Sequence, residues 1–108
     1  SIDLQAFIAQ NPSVTAMAGI GDPQRFFNYL MALGLTLDKS QGFIDHQAYN
    51  KAMLSALAGH KQVLMMTEKD AVKCGDFAED NWWYLPVDAE FAAEQGQQLL
   101  NEIKQLLN

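Results

Sequence analysis

The residues best suited to chemistry are Asp45 and His46, which are adjacent in the stretch GFIDHQAY at residues 42–49. A neutral imidazole can accept a proton near neutral pH, so His46 could act as a general base. We predict that Asp45 caps a helix, which would place His46 in its first turn. The helix dipole would then disfavour the charged imidazolium. Taken alone, a histidine in such a position is more often a surface or packing residue.

A second group of charged residues, Glu68, Lys69, Asp70 and Lys73, occurs in the stretch MTEKDAVK. Two carboxylates and a lysine could hold magnesium or a phosphate. The same stretch also has a structural interpretation, because Thr67 and Asp70 have the spacing of a capping box at a helix start, with a solvated rim beside them. We favour the structural interpretation.

The stretch GIGDP at residues 19–23 places a GxG turn before a helix. Free amides at a helix N-terminus favour an anion such as phosphate. However, Gln24 stands where a dinucleotide-binding fingerprint has its third glycine, and the charge of Asp22 would oppose a phosphate. A tight turn, with Asp22 as the cap and Pro23 at the first helical position, is therefore the favoured interpretation.

The other reactive side chains are isolated in the sequence. His60 has no obvious partner, and we expect it to be exposed in a loop. Cys74 is the single cysteine, which excludes an internal disulfide, and we expect it to be structural. The sequence has no metal-ligand cluster, no Walker A loop and no Ser/His/Asp arrangement.

Length and composition limit the class of protein. The 108 residues correspond to one domain, and the net charge is −6 with seven scattered basic residues, which argues against a nucleic-acid or anionic-lipid surface. The longest apolar run, at residues 63–66, is far shorter than the roughly 20 residues of a membrane span, so we expect a soluble segment. Because the first residue is Ser1 rather than methionine, we also expect a longer parent protein.

Hydrophobic patterns place the candidate residues between strands and helices. The run at residues 63–66 predicts a central strand that is buried on both faces, and the polar stretch at residues 35–43 predicts an edge strand. Glycine, proline and capping residues mark the ends of the helices. The predicted strands are 14–18, 35–43, 63–66 and 82–87, and the predicted helices are 2–10, 23–33, 45–58, 67–77 and 88–107.

This alternation predicts βαβ units, and hence a three-layer α/β/α, Rossmann-like domain with a mainly parallel sheet of about four strands. Ligands in such sheets bind beyond the carboxyl ends of the strands. We therefore expect the four corners that follow the strands to open on one edge of the fold. These corners are residues 19–22, 43–46, 67–70 and 87–88.

Four motifs, read in order, resemble the C-terminal half of the tetraacyldisaccharide 4'-kinase family, the lipid A kinases of Gram-negative bacteria. They are AGIGDPQRFF, FIDHQAY, MTEKDAVKC and NWWYLPVDA, and together with their spacing they cover about nine tenths of the chain. The chain departs from the family at Ile44, where members often have proline, and at Gln47, where they often have a second histidine. Neither departure affects Asp45 or His46.

The resemblance implies a two-domain kinase that transfers the γ-phosphate of ATP to the 4'-hydroxyl of a tetraacyldisaccharide 1-phosphate, at the cytoplasmic face of the inner membrane. The P-loop, the magnesium-binding acids, most lipid contacts and the membrane anchor would belong to the N-terminal domain. Because the sequence has no GxxxxGK[ST] motif, residues 1–108 would be the C-terminal domain. Its partner would be that P-loop domain, and it would bind no ATP or Mg²⁺ alone.

The same resemblance implies a catalytic role for His46, which would pair with an aspartate of the N-terminal domain to help deprotonate the sugar hydroxyl. Asp45, Arg25, Lys69 and Asp70 would support this site or line the cleft between the domains. The isolated chain is therefore expected to be inactive.

Two other functions remain open. The chain could be a non-catalytic α/β module that binds a small anion at GIGDP or serves as an interaction domain. It could also be a magnesium-dependent nuclease that uses Glu68 and Asp70, since MTEKDAVK faintly resembles the acid-rich corner of toprim nucleases. That family's second paired-acid motif is not visible, and the charge of −6 disfavours binding to nucleic acid.

Overall fold

The computed structural model describes residues 2–45, 47–59, 61–86 and 102–106. Strands and helices alternate through most of this part of the chain. The strands are β1 (Ile2–Asp3), β2 (Val14–Ala18), β3 (Leu37–Gly42), β4 (Leu64–Thr67), β5 (Trp82–Leu85) and β6 (Glu102–Gln105). The helices are α1 (Leu4–Gln10), α2 (Pro23–Ala32), α3 (Lys51–Ala58) and α4 (Glu68–Val72), and a 3₁₀ turn covers Gly75–Phe77.

The described strands form one sheet of six, in the order β1-β6-β5-β4-β2-β3. β2 to β5, the four strands that the sequence predicts, are parallel to one another. β6 is antiparallel to both β5 and β1. The prediction of a mainly parallel sheet of about four strands is therefore wrong, because two further strands extend the sheet beyond β5 and make it mixed.

The positions of the parallel strands agree with the sequence patterns. β4 lies between β2 and β5, and all of its residues are buried, as the continuous apolar run predicts. β3 lies at one edge of the sheet, and five of its six residues are exposed. Polar residues are tolerated there because an edge strand has water on one side.

Helices cover both faces of the sheet, since apolar side chains along each strand point alternately to opposite sides. The first core contains side chains of α1 and α2, with Ala16, Ala18 and Met65 of the sheet. The second core contains side chains of α3 and α4, with Met17, Leu64, Met66 and Trp82. The described part of the chain is thus an α/β fold with two helices on each face.

The start of the chain differs slightly from its predicted helix. Ile2 and Asp3 pair with β6, and α1 begins at Leu4. The Asp3 carboxylate accepts hydrogen bonds from the amides of Gln5 and Ala6 and so caps α1. Strand pairing and side-chain capping together move the helix start two residues beyond the predicted position.

The predicted helix at residues 88–107 is wrong where the structure describes it, because residues 102–105 form β6. Ile103 is fully buried in the first core and faces Ile2 across the β1–β6 pair. Its burial in a sheet, rather than on a helical stripe, accounts for the difference. The predicted cap Asp88 and the predicted stripe residues Leu99, Leu100 and Leu107 lie outside the described residues.

The helix that follows β3 begins later than predicted. Its N-cap is Asn50, whose side chain accepts the Met53 amide at 2.8 Å, so the prediction that Asp45 caps this helix is wrong. Phe43 precedes Asp45 and Tyr49 directly precedes Asn50, and the two rings pack edge to face with centroids 5.4 Å apart. This packing against the second core favours a non-helical path for the described residues before α3.

Candidate functional site

The segments that follow three of the parallel strands meet at one buried carboxylate, that of Asp70, although the contact after β3 comes from Tyr49, beyond the predicted corner at residues 43–46. Asp70 follows β4 and is 0% exposed. Its Oδ2 accepts a hydrogen bond from the amide of Gly19, after β2, at 3.0 Å, and its Oδ1 accepts one from the hydroxyl of Tyr49, after β3, at 2.8 Å. The corners after β2, β3 and β4 therefore lie on one edge, as parallel strands require. The fourth corner, residues 87–88, lies outside the described residues.

The start of α4 explains why Asp70 faces inward. The Thr67 hydroxyl accepts the Asp70 amide at 3.0 Å, which is the first half of the predicted capping box. The same hydroxyl donates to Asp70 Oδ2 at 2.7 Å. The carboxylate therefore bonds Thr67, Gly19 and Tyr49 and joins the three corners, whereas Glu68 and Lys69 form the exposed rim that the sequence predicts.

Tyr49 is a site residue that the sequence patterns do not predict. Its ring contacts Phe43, and Lys73 Nζ lies 5.5 Å from the ring centroid. Burial raises the pKa of Tyr49 well above its ordinary value, and the hydrogen bond to Asp70 raises it further. The phenol therefore stays protonated and donates to Asp70. No spacing rule links residues this far apart in the chain, so pattern reading had no signal for the pair.

Gly19, the first glycine of GIGDP, has a packing role. A Cβ atom at this position would collide with the Tyr49 hydroxyl and lie 3.2 Å from Asp70 Oδ1. Glycine is thus needed because another group approaches the backbone closely. The second part of the motif behaves as predicted, with Pro23 at the start of α2 and Asp22 as its N-cap, although the Asp22 side chain makes no capping hydrogen bond.

Two lysines, Lys69 in α4 and Lys73 at its C-terminal end, contact the residues on either side of position 46. Lys69 Nζ lies 3.4 Å from Asp45 Oδ1, and both side chains are partly exposed, at 49% and 41%. Lys73 Nζ donates to the Gln47 carbonyl oxygen at 3.3 Å. His46 itself lies outside the described residues, so its catalytic role stays a prediction. Because α3 begins at Lys51, the prediction that position 46 lies in the first turn of this helix is wrong.

Arg25 lies apart from this network. It is half-buried in the first turn of α2, and its amide donates to the Asp22 carbonyl oxygen at 3.2 Å. Within the described ranges, no polar contact joins its side chain to Asp70, Tyr49 or Lys69. The structure therefore brings together Asp45, Lys69 and Asp70 of the sequence-predicted residues, but not Arg25.

Cys74 is fully buried in the second core. Burial raises the pKa of its thiol to about 12, with a further contribution from the charge of Asp70. A thiol with so high a pKa is neutral at physiological pH and a poor nucleophile. This agrees with the structural role that we expect for it.

The geometry gives little support to a magnesium site at Glu68 and Asp70. Both Asp70 oxygens already accept hydrogen bonds inside the protein, and the exposed Glu68 is not part of that network. Among the described residues, no three His, Cys, Asp or Glu side chains form a group that could hold a metal ion. The corner after β4 is better described as a structural junction.

A cleft of about 190 Å³ lies beside α4. It is separate from the Asp70 network, since none of the described residues that line it donates to that carboxylate. Its lining includes Glu68, Ala71, Val72, Gly75, Tyr84 and Leu106.

In the part of the chain that the structure describes, no helix has the length and apolar character needed to cross a membrane.

Comparison with known proteins identifies one family. The family model described as tetraacyldisaccharide-1-P 4'-kinase matches residues 3–105. A tetraacyldisaccharide 4'-kinase of Shewanella piezotolerans is 58% identical over 94 residues, which cover 87% of this chain and 28% of the relative. Proteins of the same name from Vibrio cholerae and Actinobacillus pleuropneumoniae are 55% and 56% identical over 92 and 97 residues.

The matched region is only part of each relative. The chain covers 85% to 90% of its own length in these alignments, but only 28% to 29% of the length of the relatives. No solved structure gives a significant match to the chain.

Proposed function

Because the chain belongs to the tetraacyldisaccharide 4'-kinase family, we propose that it is the C-terminal domain of a lipid A 4'-kinase. The parent enzyme transfers the γ-phosphate of ATP to the 4'-hydroxyl of a tetraacyldisaccharide 1-phosphate, at the cytoplasmic face of the inner membrane of a Gram-negative bacterium. The family match over residues 3–105 carries this proposal. The chain is a Rossmann-like, three-layer domain in this proposal, and its helices on both faces of the sheet are consistent with that.

ATP and Mg²⁺ are held by the remainder of the parent, an N-terminal P-loop domain. The sequence itself has no GxxxxGK[ST] motif, whose glycine-rich loop and lysine hold phosphates in P-loop enzymes. The chain's partner is accordingly that P-loop domain, and the reaction occurs between the two. By itself the chain has no means of positioning ATP against an acceptor hydroxyl.

His46 is the residue of this chain that takes part in the chemistry. Phosphoryl transfer depends mainly on positioning and charge stabilisation, and a base within hydrogen-bond reach activates the attacking hydroxyl. An aspartate of the N-terminal domain completes the dyad and orients the imidazole. Asp45, Lys69 and Asp70 support the segment that contains His46, and Arg25 lines the cleft between the domains.

The test compares histidine variants of the full-length protein in an ATP-dependent phosphorylation assay. His46→Ala should lower kcat by about 100-fold or more, the usual contribution of a general base, with little change in the KM for ATP. His60→Ala is the matched control, because it removes the chain's other histidine, and it should leave kcat unchanged. A near-normal kcat for His46→Ala would exclude the catalytic role.

A further inference from the structure

We propose that Tyr49 and Asp70 are positioning residues for the phosphoryl transfer, because their hydrogen bond fixes the segment around position 46 to the centre of the sheet. This inference rests on the proposed function, adds Tyr49 to it, and states through which contact Asp70 acts. Neither side chain needs to touch a substrate. Each acts through the described residues that flank position 46.

The fixed end of this connection is the Asp70 carboxylate. It is fully buried and accepts hydrogen bonds from the Gly19 amide at 3.0 Å and the Thr67 hydroxyl at 2.7 Å. Gly19 directly follows β2 and Thr67 ends β4, and these two strands are hydrogen-bonded neighbours inside the sheet. The carboxylate is therefore held by two neighbouring inner strands of the sheet.

The other end of the connection is Tyr49, which lies three residues after position 46. Its hydroxyl donates to Asp70 Oδ1 at 2.8 Å. The ring alone packs on Phe43 and lies under Lys73, and a phenylalanine would keep those contacts. The hydroxyl is thus the part of the side chain that ties this segment to β2 and β4.

The glycine at position 19 leaves the space that the Tyr49 hydroxyl needs for this hydrogen bond. Gly19 has no side chain where a Cβ atom would collide with the Tyr49 hydroxyl. Residues at two distant positions are therefore matched to each other at this point. Such matching is expected of a contact that must keep one geometry.

The contacts next to position 46 are longer than the Tyr49–Asp70 hydrogen bond. Lys69 pairs with Asp45 at 3.4 Å in a partly exposed position, and Lys73 donates to the Gln47 carbonyl at 3.3 Å. The Lys69–Asp45 pair is exposed, and such pairs are screened by water and hold their partners only loosely. The Lys73–Gln47 hydrogen bond is partly buried but long. We therefore assign most of the positioning to the shorter hydrogen bond between Tyr49 and the buried Asp70 carboxylate.

The consequence for catalysis is a requirement for accurate placement. Displacing a reacting group by about 1 Å can cost on the order of 100-fold in rate. Tyr49→Phe should therefore lower kcat of the full-length kinase by about 10-fold, with the KM for ATP within about twofold, because loosening the segment displaces the base only part of the time. Tyr29→Phe, which removes a hydroxyl from α2, is the matched control and should leave kcat unchanged.

A double-mutant cycle separates positioning from a general structural effect. Full-length wild type, Tyr49→Phe, His46→Ala and the double variant are assayed at a temperature at which circular dichroism shows all four to be folded. If Tyr49 acts through His46, the double variant should be no slower than His46→Ala alone. Hydrogen exchange should also be several-fold faster at the amides of residues 43–50 in Tyr49→Phe and unchanged in β4.

The possible outcomes distinguish this inference from the proposal on which it rests. A near-normal kcat for His46→Ala would overturn both. A strongly impaired His46→Ala enzyme, combined with an unchanged kcat in Tyr49→Phe, would overturn only the positioning role. An equal fold-loss from Tyr49→Phe in both backgrounds would do the same, because it would show that Tyr49 acts independently of His46.

Discussion

At the scale of single residues, the contact between Gly19 and Tyr49 makes a direct prediction about stability. Gly19→Ala places a methyl group against the Tyr49 hydroxyl, and overpacking of this kind usually costs about 1–3 kcal/mol. The cost should shrink in a Tyr49→Phe background, where the hydroxyl is absent. Urea denaturation of the four proteins in the cycle measures both effects.

Gly75→Ala is the control for that prediction. A Cβ atom at Gly75 meets nothing within 4 Å, so this substitution should change the free energy of unfolding by less than about 0.5 kcal/mol. Equal destabilisation by Gly19→Ala and Gly75→Ala would show that the close approach of Gly19 to Tyr49 does not affect the free energy of unfolding.

The raised pKa of Tyr49 predicts how stability changes at alkaline pH. Its folded pKa lies above the unfolded value of about 10, so the stabilisation is fully present below pH 10 and is lost as the pH rises towards the folded value. The free energy of unfolding should therefore fall more steeply above pH 10 in wild type than in Tyr49→Phe. Urea denaturation at pH 9, 10 and 11 checks this, and parallel pH profiles for the two proteins would contradict it.

At the scale of elements, the start of α3 separates two candidate caps. Asn50→Ala removes the hydrogen bond to the Met53 amide and should destabilise the chain by about 1 kcal/mol, as loss of an N-cap usually does. Asp45→Ala removes a partly exposed pair with Lys69 and should cost about 0.5 kcal/mol or less. Thermal or urea denaturation decides the order, and a larger loss for Asp45→Ala would restore it as the cap.

The same comparison shows what the sequence could and could not predict. Strong local signals, such as the apolar run of β4 and the Asp22–Pro23 start of α2, were sufficient for those elements. Asp45 and Asn50 are both good capping residues, and the packing of Phe43 on Tyr49 decides between them. That packing joins a loop to the second core, and no local sequence pattern predicts a contact of this kind.

β6 illustrates a second limit of local patterns. Its four residues include one apolar side chain, Ile103, which fits a helical stripe as well as a strand. The strand forms because it can pair with β5 on one side and β1 on the other. The candidate site follows the same logic, since the spacing of Thr67 and Asp70 predicts their mutual hydrogen bond, whereas the partner Tyr49 comes from tertiary structure.

At the scale of the whole molecule, the sheet depends on Ile103. This side chain is fully buried in the first core, and Ile103→Ala should cost about 2–5 kcal/mol through lost burial and the cavity left behind. Lys104, at the next position along the strand, is partly exposed, so Lys104→Ala should cost less than about 1 kcal/mol. Urea denaturation of both variants measures the contrast, and similar losses would contradict the difference in burial between Ile103 and Lys104.

The domain assignment also makes a prediction at this scale. The 108-residue chain, assayed alone, should give no ATP-dependent phosphorylation of the tetraacyldisaccharide, because the proposed assignment places ATP and Mg²⁺ in the other domain of the parent. Isothermal titration of ATP into the chain should likewise show no binding. Phosphorylation of the disaccharide by the isolated chain would contradict the proposal that ATP and Mg²⁺ are held by the N-terminal domain.

The pairing of β1 with β6 has a consequence for the order in which the protein assembles. Among the described strands, β1 has β6 as its one sheet neighbour, so during synthesis β1 leaves the ribosome long before its partner exists. β2 to β5 can associate earlier, because their contacts span shorter stretches of sequence. The β1–β6 side should then close last, after residue 105 has emerged, and a pause in translation before that point would leave a parallel sheet with one unfinished edge.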